Sequence, residues 1–265
     1  MAIKSILGNK SVVLFILLAT FFTANTIVAE FIGSKIFSLE KLLGIPPLNI
    51  QLLGVQGLGL NLTAGAILWP VVFIMTDIIN EYYGPKAVKF LSYTAIGIVF
   101  YAFIMVYGAI GLPPNDWWQF QSGLSNTDTQ NITDMSLSFN KVMGQGLWII
   151  IGSMVAFLVG QILDVAVFHK IKAVTGEKWV WLRATGSTLV SQFIDSFVVL
   201  IIAFYIGSDW DLTRVLAIGL VNYFYKFGMA ILLTPLIYLG HHWIDSYLGA
   251  DVAHRMKQEA QGFIG

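Results

Sequence analysis

Apolar residues along this chain come in long unbroken runs, not in the short alternations of strands or the single stripes of soluble helices. Six runs, at about 11–33, 60–80, 87–112, 145–169, 185–207 and 213–240, each reach the roughly 20 residues that a helix needs to cross a bilayer. They predict an all-α integral membrane protein of six transmembrane helices, a single membrane domain over 1–265. The first run is longer than a signal-peptide core of about 7–15 residues and has no clear cleavage site. It is therefore read as a retained span. The longer connections are 34–59 and 113–143. The stretch 45–59 is apolar but interrupted by Pro46, Pro47, Gly54, Gly57 and Gly59. Such backbone must leave the lipid or be buried in protein. It is expected to lie along the outer interface or to fold back as a lid.

Lysine and arginine orient the runs. With the N-terminus cytoplasmic, the inner segments hold Lys4, Lys10, Lys86, Lys89, Lys170, Lys172, Lys178, Arg183, Arg255 and Lys257, ten in all. The outer segments hold four: Lys35, Lys41, Lys141 and Arg214. Both termini are thus expected in the cytoplasm. Trp117, Trp118, Trp148 and Trp210 suit an outer aromatic belt, and Trp179, Trp181 and Trp243 an inner one. The outer loop at 113–143 is acidic (Asp116, Asp128, Asp134), and Asn131-Ile132-Thr133 matches a glycosylation pattern that has no meaning in a bacterial protein.

Composition agrees with the membrane reading: 57% of residues are hydrophobic and 11% charged, against about 25% charged in soluble domains. Mean hydropathy is +0.75. A net charge of zero gives no electrostatic basis for a nucleic-acid partner. The absence of cysteine excludes disulfides, thiol catalysis and cysteine metal sites. No metal cluster and no phosphate-binding loop stands out, so neither cofactor nor ATP is expected, and no enzyme is read here. His169, His241, His242 and His254 fall at cytoplasmic span ends, where solvated roles are the default.

The informative residues are the polar ones inside the runs. A charge at the bilayer centre costs about 2.5 kcal/mol or more, so Asp77, Asp164 and Asp195 imply a polar cavity, a partner or an ion path. Thr76-Asp77-Ile78-Ile79-Asn80-Glu81-Tyr82-Tyr83-Gly84 closes the second run. Asp77, Asn80 and Glu81 share one helix face at i, i+3 and i+4, and Gly84-Pro85 stops the helix. In the fifth run Ser187, Ser191 and Asp195 recur every four residues, with Thr188 and Gln192 beside them. Ser and Thr there also suit close helix packing, but a buried amide and a buried carboxylate need dedicated partners. Gln161 and Asp164 mark the fourth run. Asn222, Tyr223, Tyr225 and Lys226 mark the sixth, and Asn25 the first, with Glu30 near the outer surface. Lys226 is too deep to snorkel and is expected to pair with an aspartate. Asp195 is expected to stay unpaired and to bind ligand and proton together, with facilitated diffusion and trapping of the ligand downstream as the open alternative. The set suits a flat, nitrogen-rich ligand: carboxylates accept from ring N–H groups, amides pair with a lactam edge, and aromatics stack.

These segments together resemble the bacterial queuosine precursor transporter family, which is related to the vitamin uptake transporters. The resemblance rests on Asn25, on Ala64-Gly65 through Trp69-Pro70, on the Asp77–Gly84 motif, on Arg183-Ala184-Thr185-Gly186-Ser187-Thr188 with Asp195-Ser196, and on Tyr225-Lys226 with Thr234-Pro235. It covers all six runs, about 11–245. It implies a solitary six-helix importer in the bacterial inner membrane that carries 7-deazaguanines, chiefly 7-cyano-7-deazaguanine and 7-aminomethyl-7-deazaguanine, without an ATP-driven partner. The substrate-binding residues expected from the residue pattern and this resemblance are Asn25, Asp77, Asn80, Glu81, Gln161, Asp164, Arg183, Ser187, Ser191, Gln192, Asp195, Asn222 and Lys226. The loops 34–59 and 113–143 are longer than the family pattern, and Glu30 stands where a lysine is expected. Queuine therefore stays open as cargo, and a homodimer stays open as the assembly.

Two other readings compete. A substrate-binding subunit of an energy-coupling-factor vitamin importer also has six helices, but no Ala-x-x-x-Ala docking stripe marks the first or third run. An intramembrane aspartyl protease would use two membrane aspartates as an acid/base dyad, but such enzymes carry Tyr-Asp and Gly-x-Gly-Asp. Here the aspartates follow Thr76, Leu163 and Ile194.

Overall fold

The computed structural model describes residues 7–119, 134–144, 146–176 and 179–262. Lys4, Asp128, Lys178 and the Asn131–Thr133 pattern lie outside the described residues. The first helix, α1 (Lys10–Ile32), starts at Asn9, whose side-chain oxygen accepts from the N–H groups of Ser11 and Val12. It ends at Gly33.

The connection after α1 is built mostly of short paired strands. It is β1 (Ile36–Ser38), α2 (Leu39–Leu43), β2 (Ile50–Leu52), β3 (Val55–Leu58) and β4 (Asn61–Thr63), then a 3-10 turn at Ala64–Ile67. β1 pairs antiparallel with β4, Ile36 opposite Thr63, and β2 pairs with β3, Leu52 opposite Val55. Leu53 and Gly54 both have positive φ (51° and 82°), which a two-residue turn matching strand twist requires. Glu40 fastens the pieces together. Its carboxylate accepts from the Leu60 N–H at 2.6 Å and from the Ser38 hydroxyl at 2.9 Å. Burial works to raise its pKa, and these donors outweigh it, holding the group below its usual 4.5.

The strand at 61–63 shortens the second expected span, which begins at Trp69 and not at 60. From there α3 runs Trp69–Ile110, 42 residues. Straight, it would measure about 63 Å, twice the hydrocarbon thickness. It is broken at Gly84, whose φ of 79° and ψ of 175° fall in a region open essentially to glycine. Pro85, which cannot donate a backbone hydrogen bond, follows. The runs at 60–80 and 87–112 therefore become two arms of one element.

The remaining helices are α4 (Asp116–Gln119), α5 (Met135–Met143), α6 (Leu147–Thr175), α7 (Val180–Leu200), α8 (Leu212–Leu248) and α9 (Ala250–Gly262). α7 continues into a π-helical turn, Ile201–Ile206. Asp134 caps α5 through the Leu137 N–H at 2.9 Å. Among the described residues, five helices are long and apolar enough to cross a membrane: α1, α3, α6, α7 and α8. The count is five because two expected spans share α3. α6 packs on α7, α7 on α8, α1 on α3, and α9 across the break in α3. A Cβ on Gly84 would meet the Ala260 backbone at 3.4 Å. Phe22, Val72, Met75, Ile79, Leu91, Phe157 and Val165 form the main apolar core. Phe90, Phe100, Tyr101, Ile104 and Met105 point outward, as a lipid-facing surface requires.

Candidate functional site

The polar residues of the helices lie in layers along the bundle. Nearest the β-hairpins is a cavity of about 590 Å³. Its roof is β3 and its flanks (Val55 through Gly59, with Asn61 and Thr63). Its walls are Trp69, Ser153, Phe157, Asp195, Trp210, Arg214, Asn222, Tyr225 and Lys226. Lys226 and Asp195 form an ion pair across α8 and α7. Trp210 stacks on Phe204 with centroids 4.5 Å apart, and the Arg214 guanidinium lies 4.4 Å from the Trp210 ring centroid. The Ser153 hydroxyl donates to Glu30 at 3.0 Å. Aromatic faces, the amides of Gln56, Asn61 and Asn222 and both signs of charge thus surround a space large enough for a bicyclic base.

Trp69 and Lys226 are shared with a second, much smaller void of about 30 Å³, which Asp77, Thr185, Thr188 and Gln192 also line. Below it the side chains are packed. Thr76 donates to the Gln161 side-chain oxygen at 3.0 Å, and Ser191 to Asp164 at 3.2 Å. Asp77 and Asp164 adjoin one another, with Thr188 beside both. Neither oxygen of Asp77 and only one of Asp164 has a donor in hydrogen-bond geometry.

The next layer is ionic. Glu81 accepts from Lys172 at 2.9 Å and from Arg183 at 2.7 Å, and all three are buried. Arg183 also donates to the Gly176 carbonyl at 2.8 Å, tying the α6–α7 turn to α3. His169 meets the Asn80 side-chain oxygen at 2.9 Å. At the end of the bundle, Tyr82 donates to Asp245 at 2.7 Å and meets His241 at 3.1 Å, and Lys257 of α9 bonds Asp245 at 2.9 Å.

The thirteen expected binding residues therefore do not share one pocket. Asp195, Asn222 and Lys226 line the large cavity, and Asp77, Gln192 and Lys226 the small one. Asn80, Gln161, Asp164, Ser187 and Ser191 are buried in the packed layer and line neither. Glu81 and Arg183 are consumed by the ionic layer. Asn25 donates to the Phe21 carbonyl of its own helix at 2.8 Å and lines neither cavity. A one-turn helical spacing placed these residues on the correct faces, but depth along the helix separates them into layers.

Three further expectations change. Lys226 does pair with an aspartate, but the aspartate is Asp195, so Asp195 is not the unpaired carboxylate. His169 and His241 are not solvated span ends: each meets a side chain of α3. Trp210 is more than a belt residue, since it lines the cavity. Sequence reading also missed Lys172, counted only as a topology marker, and the cavity residues Trp69, Ser153 and Arg214. Lys172 falls on one helix face with His169 at i+3, a signal that was there to be used.

A bundle of membrane-length helices enclosing a polar-walled cavity is the build of a small-molecule carrier. The family described as "Putative vitamin uptake transporter" matches residues 63–240. The chain belongs to this transporter family: it is a multi-pass membrane protein that moves a small molecule, and not an enzyme. It is 28% identical to the "Probable queuosine precursor transporter" of Bacillus subtilis over 203 residues, 75% of this chain and 80% of that protein. It is 28% identical to the "Queuosine precursor transporter" of Escherichia coli over 196 residues, 73% and 79% of the two chains. With the "Probable queuosine precursor transporter" of Haemophilus influenzae it shares 27% over 172 residues, 64% of each. No solved structure matches the chain significantly.

Proposed function

We propose that this protein imports 7-deazaguanine precursors of queuosine across the bacterial inner membrane, binding the base in the large cavity. The observation that carries the reading is that cavity: Asp195 and Asn222 offer an acceptor and an amide, and Trp69, Phe157, Trp210 and Tyr225 offer rings. The names of the relatives supply the cargo class. A deazaguanine presents ring N–H and amino donors to a carboxylate, a lactam edge to an amide, and a flat face to the rings. Buried groups made to pair with a ligand reject a molecule that leaves them unpaired.

The remaining assignments follow the same reading. Six crossings result when each arm of α3 makes one pass. The Lys10 ammonium donates to the Tyr247 carbonyl at 2.8 Å, so the start of α1 and the end of α8 lie together. That end also holds Lys172, Arg183 and Lys257, which supports a cytoplasmic location for both termini. The chain works as one membrane domain, needs neither ATP nor nucleic acid, and is active as monomer or homodimer. The deciding test is uptake of labelled 7-cyano-7-deazaguanine by proteoliposomes holding the purified protein. Uptake above that of protein-free vesicles, inhibited by unlabelled 7-aminomethyl-7-deazaguanine and not by guanine, is the expected result. No uptake refutes the cargo, and equal competition by guanine refutes the pairing argument.

A further inference from the structure

The buried layer beneath the small void carries an imbalance of charge that the ligand cavity does not resolve. Asp195 is neutralised by Lys226. Glu81 is held by two cations, Lys172 and Arg183. Asp77 and Asp164 face each other with no cation of their own among the described residues. Asp77 is 1% exposed and Asp164 0%. Both oxygens of Asp77 and one of Asp164 have no donor in hydrogen-bond geometry, and the Thr188 hydroxyl lies beside both carboxyls. If both ionised, Asp77 and Asp164 would place two adjoining negative charges in the packed layer with no cation among the described residues against them. A lone buried charge is costly, and two adjoining carboxylates repel strongly where the dielectric is low.

We propose that Asp77 and Asp164 form a proton-binding site, holding one proton between them, and that this proton travels with the cargo. One proton turns the repelling pair into a hydrogen bond and removes one of the two adjoining charges. The site rests on geometry at every side. Asp77 comes from α3 and Asp164 from α6. Ser191 of α7 donates to one Asp164 oxygen, and the other has no donor in hydrogen-bond geometry. Glu81 on α3 is already held by Lys172 and Arg183. His169 of α6 faces Asn80, and Lys226 of α8, the other cation near the small void, is held by Asp195. None of these satisfies Asp77. The void of about 30 Å³ beside Asp77 holds roughly one or two water molecules, enough for a proton to reach the pair from the cavity side. The cargo site and the proton site therefore adjoin without sharing a carboxylate, with Lys226 and Trp69 as the wall between them. The transport part of the inference rests on the proposed deazaguanine cargo. The proton site itself does not.

Two measurements separate them. The first needs no cargo: infrared difference spectra of the full-length protein in lipid at neutral pH. The carbonyl stretch of a protonated carboxylic acid is expected, lost at alkaline pH and absent in Asp77→Asn and Asp164→Asn. Monodisperse elution of each variant shows that it is folded. If neither variant is folded, the alkaline titration of the unsubstituted protein decides. Absence of the band at neutral pH, or its persistence in both folded variants, overturns the site. The second measurement is transport. In proteoliposomes an imposed gradient, acidic outside, should drive labelled 7-cyano-7-deazaguanine above equilibrium. One-to-one coupling gives about tenfold per pH unit. Asp77→Asn and Asp164→Asn should exchange labelled for unlabelled cargo yet never accumulate it. Exchange without gradient-driven accumulation in the unsubstituted protein overturns the coupling, as does accumulation driven by sodium alone. Failure of exchange in the unsubstituted protein counts against the cargo, and the infrared spectra alone then decide whether the proton site stands.

Discussion

Replacing Glu81 by Gln removes the one anion between two buried cations. Lys172 and Glu81 are 4% and 1% exposed, Arg183 2%, so water cannot take over the lost charge. Glu81 accepts two charge-assisted hydrogen bonds, at 2.9 and 2.7 Å. Such bonds contribute about 1.5–3 kcal/mol each. Glutamine keeps the shape and one acceptor, but it leaves two cationic side chains uncompensated in a packed layer. Breaking a buried pair from one side costs about 3–5 kcal/mol, and the same range follows from the two bonds. At about 2 °C per kcal/mol for a chain of this size, the melting temperature in detergent should fall by roughly 6–10 °C. The assay is thermal unfolding of purified protein followed by loss of the monodisperse elution peak. The double variant Glu81→Gln with Lys172→Met should recover part of the loss, because one orphaned cation is removed with its partner. A melting point for Glu81→Gln within about 2 °C of the unsubstituted protein, or a double variant no better than the single one, refutes the claim that this layer is an ionic clamp whose cations depend on Glu81.

Asp195→Asn should weaken binding of labelled 7-cyano-7-deazaguanine about 10- to 100-fold, the loss of one hydrogen bond to a charged acceptor, while the elution profile is kept. Unchanged affinity would remove Asp195 from the cargo site. Gly84→Ala should destabilise by about 1–3 kcal/mol, since the φ of 79° is closed to alanine, and thermal unfolding measures it. Glu40 titrates below its usual 4.5 in the folded protein, so its stabilisation of the hairpins is complete above 4.5 and is lost as pH falls through the lower folded value. Amide exchange at Leu60 should therefore quicken on acidification, and Glu40→Gln should exchange fast at every pH. For orientation, a cysteine at the exposed Leu42 should react with an impermeant reagent in intact spheroplasts, and one at Lys170 should not. Labelling of Lys170→Cys reverses the topology.

The long apolar helices were legible because length and apolarity decide what crosses a membrane: α1, α6 and α8 start within two residues of their apolar runs, while α6 and α8 continue six and eight residues past the expected ends. The join at Gly84 was half legible. Gly-Pro predicts a stop, but only the fold places α9 against it and makes the two arms one element. The hairpins were not legible as strands. The stretch Ile50–Thr63 alternates poorly, and its register is set by Glu40, a residue twenty positions away from the Leu60 amide that it holds. The buried polar residues were legible by type and by helix face. Their depth was not, because spacing along one helix says nothing about which layer of a neighbour it meets. Asp77 and Asp164 each stand out within an apolar run, but only packing puts them together, and only packing gives Lys226 to Asp195.

The layering bears on transport itself. The large cavity is walled on the hairpin side by short strands joined by tight turns. On the other side lie, in order, the carboxyl pair, the Glu81 clamp and the Tyr82–Asp245–Lys257 contact. The first separation is a single void wall, and the second is three sets of polar side chains, the first two of them buried. Cargo bound beside Asp195 can leave toward the far end only if those sets part, and each of the three has a member on the first arm of α3. The break at Gly84 sits one residue beyond Tyr83, where that arm meets α9. A tilt of the short arm about Gly84 would carry Asp77, Asn80, Glu81 and Tyr82 together, whereas a straight α3 would have to move both arms at once. The glycine break thus sets the α3 members of the inner layers on one unit, the arm 69–83. An ionic clamp in that unit raises the cost of opening by a few kcal/mol, about the size of one bound ligand's pairing energy. Opening tied to occupancy therefore requires the cargo, the proton or both to offset the clamp, and weakening the clamp should loosen that tie. Glu81→Gln should accordingly raise leak of cargo down its gradient, relative to proton-driven uptake, even in the fraction of protein that stays folded. Flux in proteoliposomes with and without a pH gradient measures that ratio, and an unchanged ratio removes the clamp from the transport cycle.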